Sequence, residues 1–202
     1  MLTMNQLIFA TNNKNKVSEI RHLLPDQFEI LSLADAGIVI DIPEPYDTLE
    51  KNAVEKASVI YNWKAMNCFA EDTGLEVMAL DGAPGVNSAR YAGGERSFEK
   101  NIDKLLDQLQ NVENRDARFR TVICLMVNGQ HRLFEGECKG RITTQRRGTG
   151  GFGYDAIFIP DGASRTFGEM NLEEKNIYSH RQKATAKLIG HLKEQGWLEN
   201  RR

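Results

Sequence analysis

Residues 7–24 read LIFATNNKNKVSEIRHLL, and this stretch decides the fold class. Its first four residues form a continuous apolar run, which is typical of a buried β-strand. The polar residues 11–16 follow as a loop, and from Val17 onward apolar residues recur at helical spacing until Pro25 ends the pattern. A strand, a polar loop and a helix in this order indicate an α/β protein. They also aim backbone N–H groups and a helix dipole at an anion.

The rest of the chain alternates between the same two periodicities. Apolar residues at helical spacing predict helices over residues 48–64, 98–109 and 179–192. Apolar and β-branched runs predict strands over 66–70, 121–127 and 156–159, the first of them broken sharply by the polar residues 71–74. Asn128-Gly129 predicts a hairpin turn into a partner strand over about 130–136 that extends towards 143. We therefore expect one α/β domain over residues 1–202 with a mixed sheet.

Composition excludes several classes of protein. The 202 residues carry 26 Lys and Arg against 28 Asp and Glu, a net charge of −2, which argues against a nucleic-acid binder. The apolar runs are too short for a signal peptide or a membrane span, so we expect no membrane partner. The three cysteines, Cys68, Cys124 and Cys138, show no CxxC spacing. They are therefore expected as buried free thiols of a cytoplasmic protein.

Two polar clusters directly follow predicted strands. Residues 11–16 offer a hydroxyl, several amides and two ammonium groups to a phosphate, but without Walker A glycines a solvated helix-capping loop is the favoured interpretation. Glu71 and Asp72 stand where open α/β sheets usually bind ligands, and one or two carboxylates are what Mg²⁺ takes from a protein. An ordinary Asp-Thr-Gly turn is an equally good interpretation of that second cluster.

Residues 148–155 form a glycine-rich segment with two aromatic side chains. Glycines let the backbone approach a flat ligand closely, and aromatic rings can stack on it, so a binding loop is favoured over a flexible one.

Ser179 and Gln182 have the spacing of a helix capping box. His180 and Arg181 then occupy the positively polarised start of a helix, where stability alone favours acidic residues. This placement indicates hydrogen-bond donors for a ligand, with a screened surface arginine as the alternative. Lys175 alone is interpreted as a solvated residue, and Glu44 as a carboxylate held rigidly between two prolines.

Five segments in this order resemble the noncanonical purine nucleoside triphosphate pyrophosphatases, the inosine triphosphatase or XTP/dITP diphosphatase family. They are ATNNKNK (10–16), EDTGL (71–75), GAPG (82–85) with SARY (88–91), GGFGYD (150–155), and EK (174–175) with SHR (179–181). The resemblance extends from residue 7 to about residue 192. It implies an α/β fold with a long central mixed sheet flanked by helices, two lobes around an active-site cleft, and a homodimer. It also implies Mg²⁺-dependent hydrolysis of ITP, dITP and XTP to the monophosphate and pyrophosphate, which would cleanse the nucleotide pool.

The same resemblance implies a role for individual residues. Asp72 would be the proton acceptor that activates water and also a metal ligand, Glu44 the other metal ligand, and Thr73 a substrate contact. The triphosphate would be held by Thr11, Asn12, Asn13, Lys14, Asn15 and Lys16. The base and phosphate would be bound by Phe152, Gly153, Tyr154, Asp155, Lys175, His180 and Arg181.

Two alternatives stay open. One is a Maf-type nucleotide pyrophosphatase, although its Ser-x-Ser-x-Arg-Arg opening is absent and Thr11 begins the loop instead. The other is a non-catalytic nucleotide sensor, against which the joint presence of Lys16, Asp72 and Lys175 argues.

Overall fold

The computed structural model describes residues 5–26 and 28–197. Its strands are β1 (Asn5–Phe9), β2 (Phe28–Ser32), β3 (Cys68–Val77), β4 (Pro84–Gly85), β5 (Asp116–Val127), β6 (Gln130–Ile142) and β7 (Phe158–Pro160). Its helices are α1 (Lys14–Leu23), α2 (Leu49–Lys64), α3 (Phe98–Gln108), α4 (Leu172–Tyr178) and α5 (His180–Glu194).

One sheet connects all of these strands in the order β2-β1-β3-β5-β6-β7, with β4 beside β3. β1 runs parallel to β2 and β3, whereas β4 and β7 pair antiparallel with their neighbours. The two-residue turn Asn128-Gly129 has positive φ at both positions, as the predicted hairpin between β5 and β6 requires. The prediction of an α/β fold with a mixed sheet and flanking helices is therefore confirmed.

Side-chain caps explain where the helices begin. Thr48 and Ser97 accept hydrogen bonds from the first turns of α2 and α3, at the positions that the sequence indicates. Asn13 caps α1 in the same way, so the helix begins at Lys14 rather than at Val17, and part of the predicted loop is helical.

The predicted break at residues 71–74 is wrong, because these residues lie inside β3. Gly74 permits this continuation: a Cβ there would lie 2.6 Å from the carbonyl oxygen of Gly85, on the strand that pairs with β3. The Leu75 N–H donates to Ser88 Oγ at 2.9 Å, so the backbone past the polar residues stays hydrogen-bonded.

Other, smaller differences concern short elements and one aromatic side chain. The strand predicted over residues 156–159 begins only at Phe158, since Asp155–Ile157 form a 3₁₀ turn. β2 and α4 were not predicted, and Trp63, expected on the apolar face of α2, is 53% exposed.

The chain divides into two compact units, each with its own core. Unit 1 comprises residues 1–72, 121–136 and 183–202, and unit 2 comprises residues 73–120 and 137–182. The core of unit 1 includes Leu7, Phe9, Ile20, Phe69, Ile123 and Leu188. That of unit 2 includes Leu75, Leu105, Phe119, Phe158 and Phe167. Each such side chain, once buried, contributes roughly 1.5–3 kcal/mol to folding.

Cys68, Cys124 and Cys138 are buried free thiols, as predicted. Among the described residues, no helix combines the length and the apolar character that crossing a bilayer requires.

Candidate active site

In unit 1, each of the two adjacent carboxylates on β3 has its own lysine. Lys16 Nζ lies 3.1 Å from Glu71 Oε1, and Lys56 Nζ lies 2.8 Å from Asp72 Oδ1. Both carboxylates are buried. These ion pairs explain how two acidic residues are accommodated inside a buried strand, where an unpaired charge would be strongly unfavourable.

Lys56 also joins Asp72 to Glu44, because its ammonium lies 2.9 Å from Glu44 Oε1. Burial lowers the pKa of Lys56, but the carboxylates of Asp72 and Glu44 outweigh that effect, and the net pKa lies above its ordinary value. Lys56 therefore remains a cation held between two anions.

Lys56 was not predicted as a site residue, although the sequence does contain a signal for it. Ala53, Ala57 and Ile60 form the buried face of α2, and Lys56 lies on that same face. A lysine among core positions of an amphipathic helix requires a buried partner, and here it has two.

Burial affects how readily the carboxyl group of Asp72 binds a proton. Burial raises the pKa of its carboxyl above the ordinary value, while Lys56 and Lys16 oppose the shift. A carboxylate of raised pKa is a stronger general base than an exposed one.

The donor set of unit 1 fits Mg²⁺. Glu44, Glu71 and Asp72 bring three carboxylates together with the ammonium groups of Lys16 and Lys56, at distances of 2.8 to 3.1 Å. Within residues 5–26 and 28–197, no group of three or more His, Cys, Asp or Glu could enclose a metal. Mg²⁺ usually takes one or two carboxylates and completes its shell with water and substrate phosphate, so Glu44 and Asp72 form a suitable pair.

The predicted phosphate-binding residues 11–16 form the entry to α1. Asn13 N donates to Thr11 Oγ1, and Asn13 Oδ1 in turn accepts from the backbone N–H groups of Asn15 and Lys16. Asn12 donates to the Ile40 carbonyl at 2.7 Å, and Lys14 is exposed. Of the six residues, Lys16 is the one whose side chain contacts a β3 carboxylate, and the phosphate-binding roles stay predictions.

In unit 2, two cations lie against the ring of Phe152. Lys175 Nζ is 5.0 Å and Arg181 Cζ 5.6 Å from its centroid. Lys175 also donates to Asp155 Oδ2 at 2.7 Å, with both side chains only 5% exposed. The interpretation of Lys175 as a solvated residue is therefore wrong. Cations over the face of an aromatic ring are electrostatically favourable.

Asp155 folds the glycine-rich segment into a turn. Its Oδ2 accepts from the Phe152 N–H at 2.9 Å as well as from Lys175. Gly151 has a φ of +72°, and a Cβ there would overlap the Asp155 carboxylate, so glycine is required. Phe152 is left half-buried, next to Gly153, and is available to stack on a flat ligand.

Tyr154 lies in the core of unit 2. It is 4% exposed, and its hydroxyl donates to the Ser88 carbonyl at 2.9 Å. Packing alone accounts for this residue, and its substrate-binding role stays a prediction.

His180 and Arg181 begin α5 and are buried, so the alternative of a screened surface arginine is wrong. The His180 ring stacks on Phe119 with centroids 4.6 Å apart, and Arg181 Nη2 lies 3.5 Å from Thr73 Oγ1. A histidine and an arginine thus lie buried at a helix N-terminus, where the macrodipole disfavours positive charge.

Ser179 caps α5 with one of the two bonds of the predicted capping box. Its Oγ accepts from Gln182 N at 3.3 Å, while its own N–H donates to the Lys175 carbonyl and ends α4.

Comparison with known proteins gives matches along nearly the whole chain. The Ham1 family matches residues 7–191. A protein of Flavobacterium psychrophilum named dITP/XTP pyrophosphatase is 52% identical over 188 residues, covering 93% of this chain and 99% of that protein. The solved structure of a HAM1 protein from Coxiella burnetii has a TM-score of 0.86 at 35% identity, covering 95% of this chain and 100% of the other. The solved structure of the Ham1 protein of Staphylococcus aureus has a TM-score of 0.85 at 34% identity, covering 94% of this chain and 99% of the other.

Proposed function

Because this chain belongs to the Ham1 family, and relatives about half identical to it are named dITP/XTP pyrophosphatase, we propose that it hydrolyses noncanonical purine nucleoside triphosphates. The chain is accordingly an enzyme, a nucleoside-triphosphate pyrophosphatase. The proposed reaction converts ITP, dITP or XTP to the monophosphate and pyrophosphate and requires Mg²⁺. Its proposed role is to cleanse the nucleotide pool of the cytoplasm, and the proposed assembly is a homodimer.

In the proposed reaction, the unit 1 cluster carries out the hydrolysis. Asp72 accepts a proton from the attacking water, and its raised pKa suits that task. Lys56 keeps the carboxylates of Asp72 and Glu44 together, and the ammonium of Lys16 is available to a phosphate oxygen. Mg²⁺ bound by Glu44 and Asp72 would neutralise charge that develops on the phosphate oxygens.

The unit 2 cluster is proposed to select the base. Hypoxanthine and xanthine carry a 6-keto acceptor where adenine carries an amino donor. Donors on His180 and Arg181 can satisfy the keto oxygen but leave an adenine amino group mispaired, and such mispairing can discriminate on the order of 10⁴-fold. Stacking of the base on Phe152 would add roughly 1–3 kcal/mol to the binding free energy, whichever base is bound.

The observation that carries this proposal is the contact of one buried ammonium, that of Lys56, with both Asp72 and Glu44. A nucleotide sensor needs positive charge that complements phosphate, whereas this cluster holds two carboxylates around one cation, and carboxylates can bind Mg²⁺ and accept a proton. The cluster favours catalysis for that reason.

The test is product analysis with purified protein. The chain is mixed with Mg²⁺ and separately with ITP, dITP, XTP, ATP, GTP and dTTP, and products are separated by anion-exchange chromatography. We expect monophosphate and pyrophosphate from the first three and almost none from ATP, with no product in EDTA. Orthophosphate as the product, or no turnover at all, would contradict the proposal. A preference for dTTP would favour the Maf-type alternative. Sedimentation velocity on the same sample tests the dimer.

A further inference from the structure

Asn52 is a buried amide next to the carboxylate cluster of unit 1. It lies in the first turn of α2, one turn before Lys56, and is 1% exposed. Its Oδ1 accepts from the Tyr46 N–H at 2.9 Å, and its Nδ2 donates to the Tyr46 carbonyl at 3.0 Å. One side chain therefore holds both backbone polar groups of a single residue.

The second N–H of this amide points towards the cluster. Asn52 Nδ2 lies 3.4 Å from Asp72 Oδ2, while the other oxygen of Asp72 accepts from Lys56 at 2.8 Å. A carboxamide offers two donors and an acceptor in one plane, so Asn52 can contact Tyr46 and Asp72 at the same time.

Glu44 depends on such support more than Asp72 does. It lies two residues before Tyr46, within residues 38–45, which form neither helix nor strand. No ladder of backbone hydrogen bonds fixes that segment, whereas Asp72 is fixed within β3. The contacts of Asn52 with Tyr46 and of Lys56 with Glu44 tie the segment to α2.

We propose that Asn52 is a positioning residue that sets the placement of the Glu44 segment relative to Asp72. This inference rests on the proposed function, because the two carboxylates are those assigned to water activation and Mg²⁺. Partners that orient metal-ligating carboxylates usually change affinity or activity about 10–100-fold when they are removed.

Asn101 supplies a matched control. It is also 1% exposed, and it occupies the same position in the first turn of α3, four residues after the capping serine. Its Oδ1 accepts from Ala92 N at 2.7 Å, and its Nδ2 donates to the carbonyls of Ser88 and Ala89. Asn101 thus holds loop backbone as Asn52 does, but at Ser88, Ala89 and Ala92 rather than beside the carboxylate cluster.

The experiment compares the full-length wild type with Asn52→Ala, Asn52→Asp and Asn101→Ala. Asn52→Asp keeps the size and the acceptor for Tyr46 N but places an oxygen against Asp72, so it tests the role if the alanine variant fails to fold. Three quantities are measured: kcat and KM for ITP, the Mg²⁺ concentration at half-maximal rate, and the rise in Tm that Mg²⁺ alone produces without nucleotide.

For both Asn52 variants we expect kcat about 10–100-fold lower and a higher half-maximal Mg²⁺ concentration. KM for ITP should stay within about threefold of wild type. The Mg²⁺-induced rise in Tm should shrink as well, because at a given concentration a ligand that binds the folded state more weakly stabilises it less. Asn101→Ala should lower Tm without changing the Mg²⁺ dependence.

Unchanged kcat and Mg²⁺ dependence in the Asn52 variants, or the same changes in Asn101→Ala, would overturn the positioning role. Absence of ITP and XTP hydrolysis by the wild type would instead refute the proposed function. The Tm response to Mg²⁺ alone would still decide whether Asn52 places the carboxylates.

Discussion

Lys56 Nζ lies 2.8 Å from Asp72 Oδ1, with both side chains at most 8% exposed. This ion pair fixes the carboxylate of Asp72 and holds its negative charge inside the fold. The pair therefore supports the fold of unit 1 and keeps Asp72 ionised, because Lys56 opposes the rise in pKa that burial causes.

Asp72→Asn should abolish turnover while leaving nucleotide binding intact. The amide keeps the size of the side chain but cannot accept the proton of water, and general-base catalysis is typically worth 10²–10⁴-fold. The measurements are kcat for ITP and an equilibrium titration with ITP. Asp107→Asn, on the exposed face of α3, is the control. Retained activity in Asp72→Asn would remove this residue from the role of base.

Lys56→Met should destabilise the protein as well as inactivate it. It leaves the buried carboxylate of Asp72 and the half-buried carboxylate of Glu44 without their common cation, and breaking a buried pair usually costs about 3–5 kcal/mol. Urea unfolding at pH 7 measures the loss. Lys139→Met, at an exposed ion pair, should change the free energy of unfolding by less than about 1 kcal/mol.

The pKa of Lys56 predicts the pH range of this effect. A lysine whose folded pKa lies above its ordinary 10.5 contributes its full stability below that pH and loses it as pH rises through the folded value. The difference in free energy of unfolding between wild type and Lys56→Met should therefore be constant near neutral pH and shrink only above about pH 10.5. A difference that disappears already at pH 8 would contradict the assignment.

Arg181→Ala should narrow the gap between the rates for ITP and ATP. Arg181 is 1% exposed and lies against Phe152, so its removal takes away donors proposed to pair with a 6-keto group. We expect the ratio of kcat/KM for ITP over ATP to fall at least about tenfold. Arg181→Lys keeps the positive charge but lacks the planar guanidinium with its several donors. Its ratio of kcat/KM for ITP over ATP should therefore lie between those of the wild type and Arg181→Ala. An unchanged ratio would exclude Arg181 from base recognition.

Local patterns in the sequence predicted the elements that depend on near neighbours. Thr48 and Ser97 marked helix starts because a cap acts within one turn, and Asn128-Gly129 marked the hairpin because the turn determines it. α4 was not predicted because seven residues are too few to show a helical pattern of apolar side chains. Its capping box, Asn171 with Glu174, was nevertheless present in the sequence.

The candidate site depended on distant partners and was predicted less completely. The acidic residues of β3 were predicted as a break in the strand because nothing near them in sequence shows that Lys16 and Lys56 neutralise them. Lys175 was likewise interpreted as solvated, since its partner Asp155 lies 20 residues earlier in the chain. The family resemblance assigned these residues a role, whereas their burial and pairing required the structure.

Asp35 should contribute to stability at neutral pH and lose that contribution in acid. Hydrogen bonds from the Ser32 hydroxyl and backbone, together with Arg21, lower its pKa to about 2 from an ordinary 3.8. A lowered folded pKa gives stability that is present above pH 3.8 and lost as pH falls towards 2. Asp35→Asn should therefore unfold at lower urea than wild type at pH 6, and the two midpoints should converge between pH 4 and pH 2. Asp26→Asn, also exposed, serves as the control.

Arg21 shields the outer edge of the sheet. β2 is the terminal strand in the order, and Arg21 donates to its Ile30 carbonyl through Nε at 3.2 Å and Nη2 at 2.7 Å. Asp35 accepts from Ser32 N at 2.9 Å, and the Ser32 carbonyl accepts from Ala36 N. Backbone groups that another strand could pair with are thus already hydrogen-bonded, and exposed edges are otherwise prone to strand addition.

Arg21→Ala should consequently promote association through β2. The substitution removes the donors on the Ile30 carbonyl and leaves Asp35 without its cation. Light scattering at rising protein concentration should show larger species than wild type, with increased thioflavin T fluorescence on mild heating. Arg132→Ala, which removes an exposed arginine beside His191 rather than one beside β2, controls for the loss of charge. Equal association of both variants would indicate a general solubility effect. If Arg21→Ala keeps the wild-type size distribution, the edge is protected by something other than this side chain.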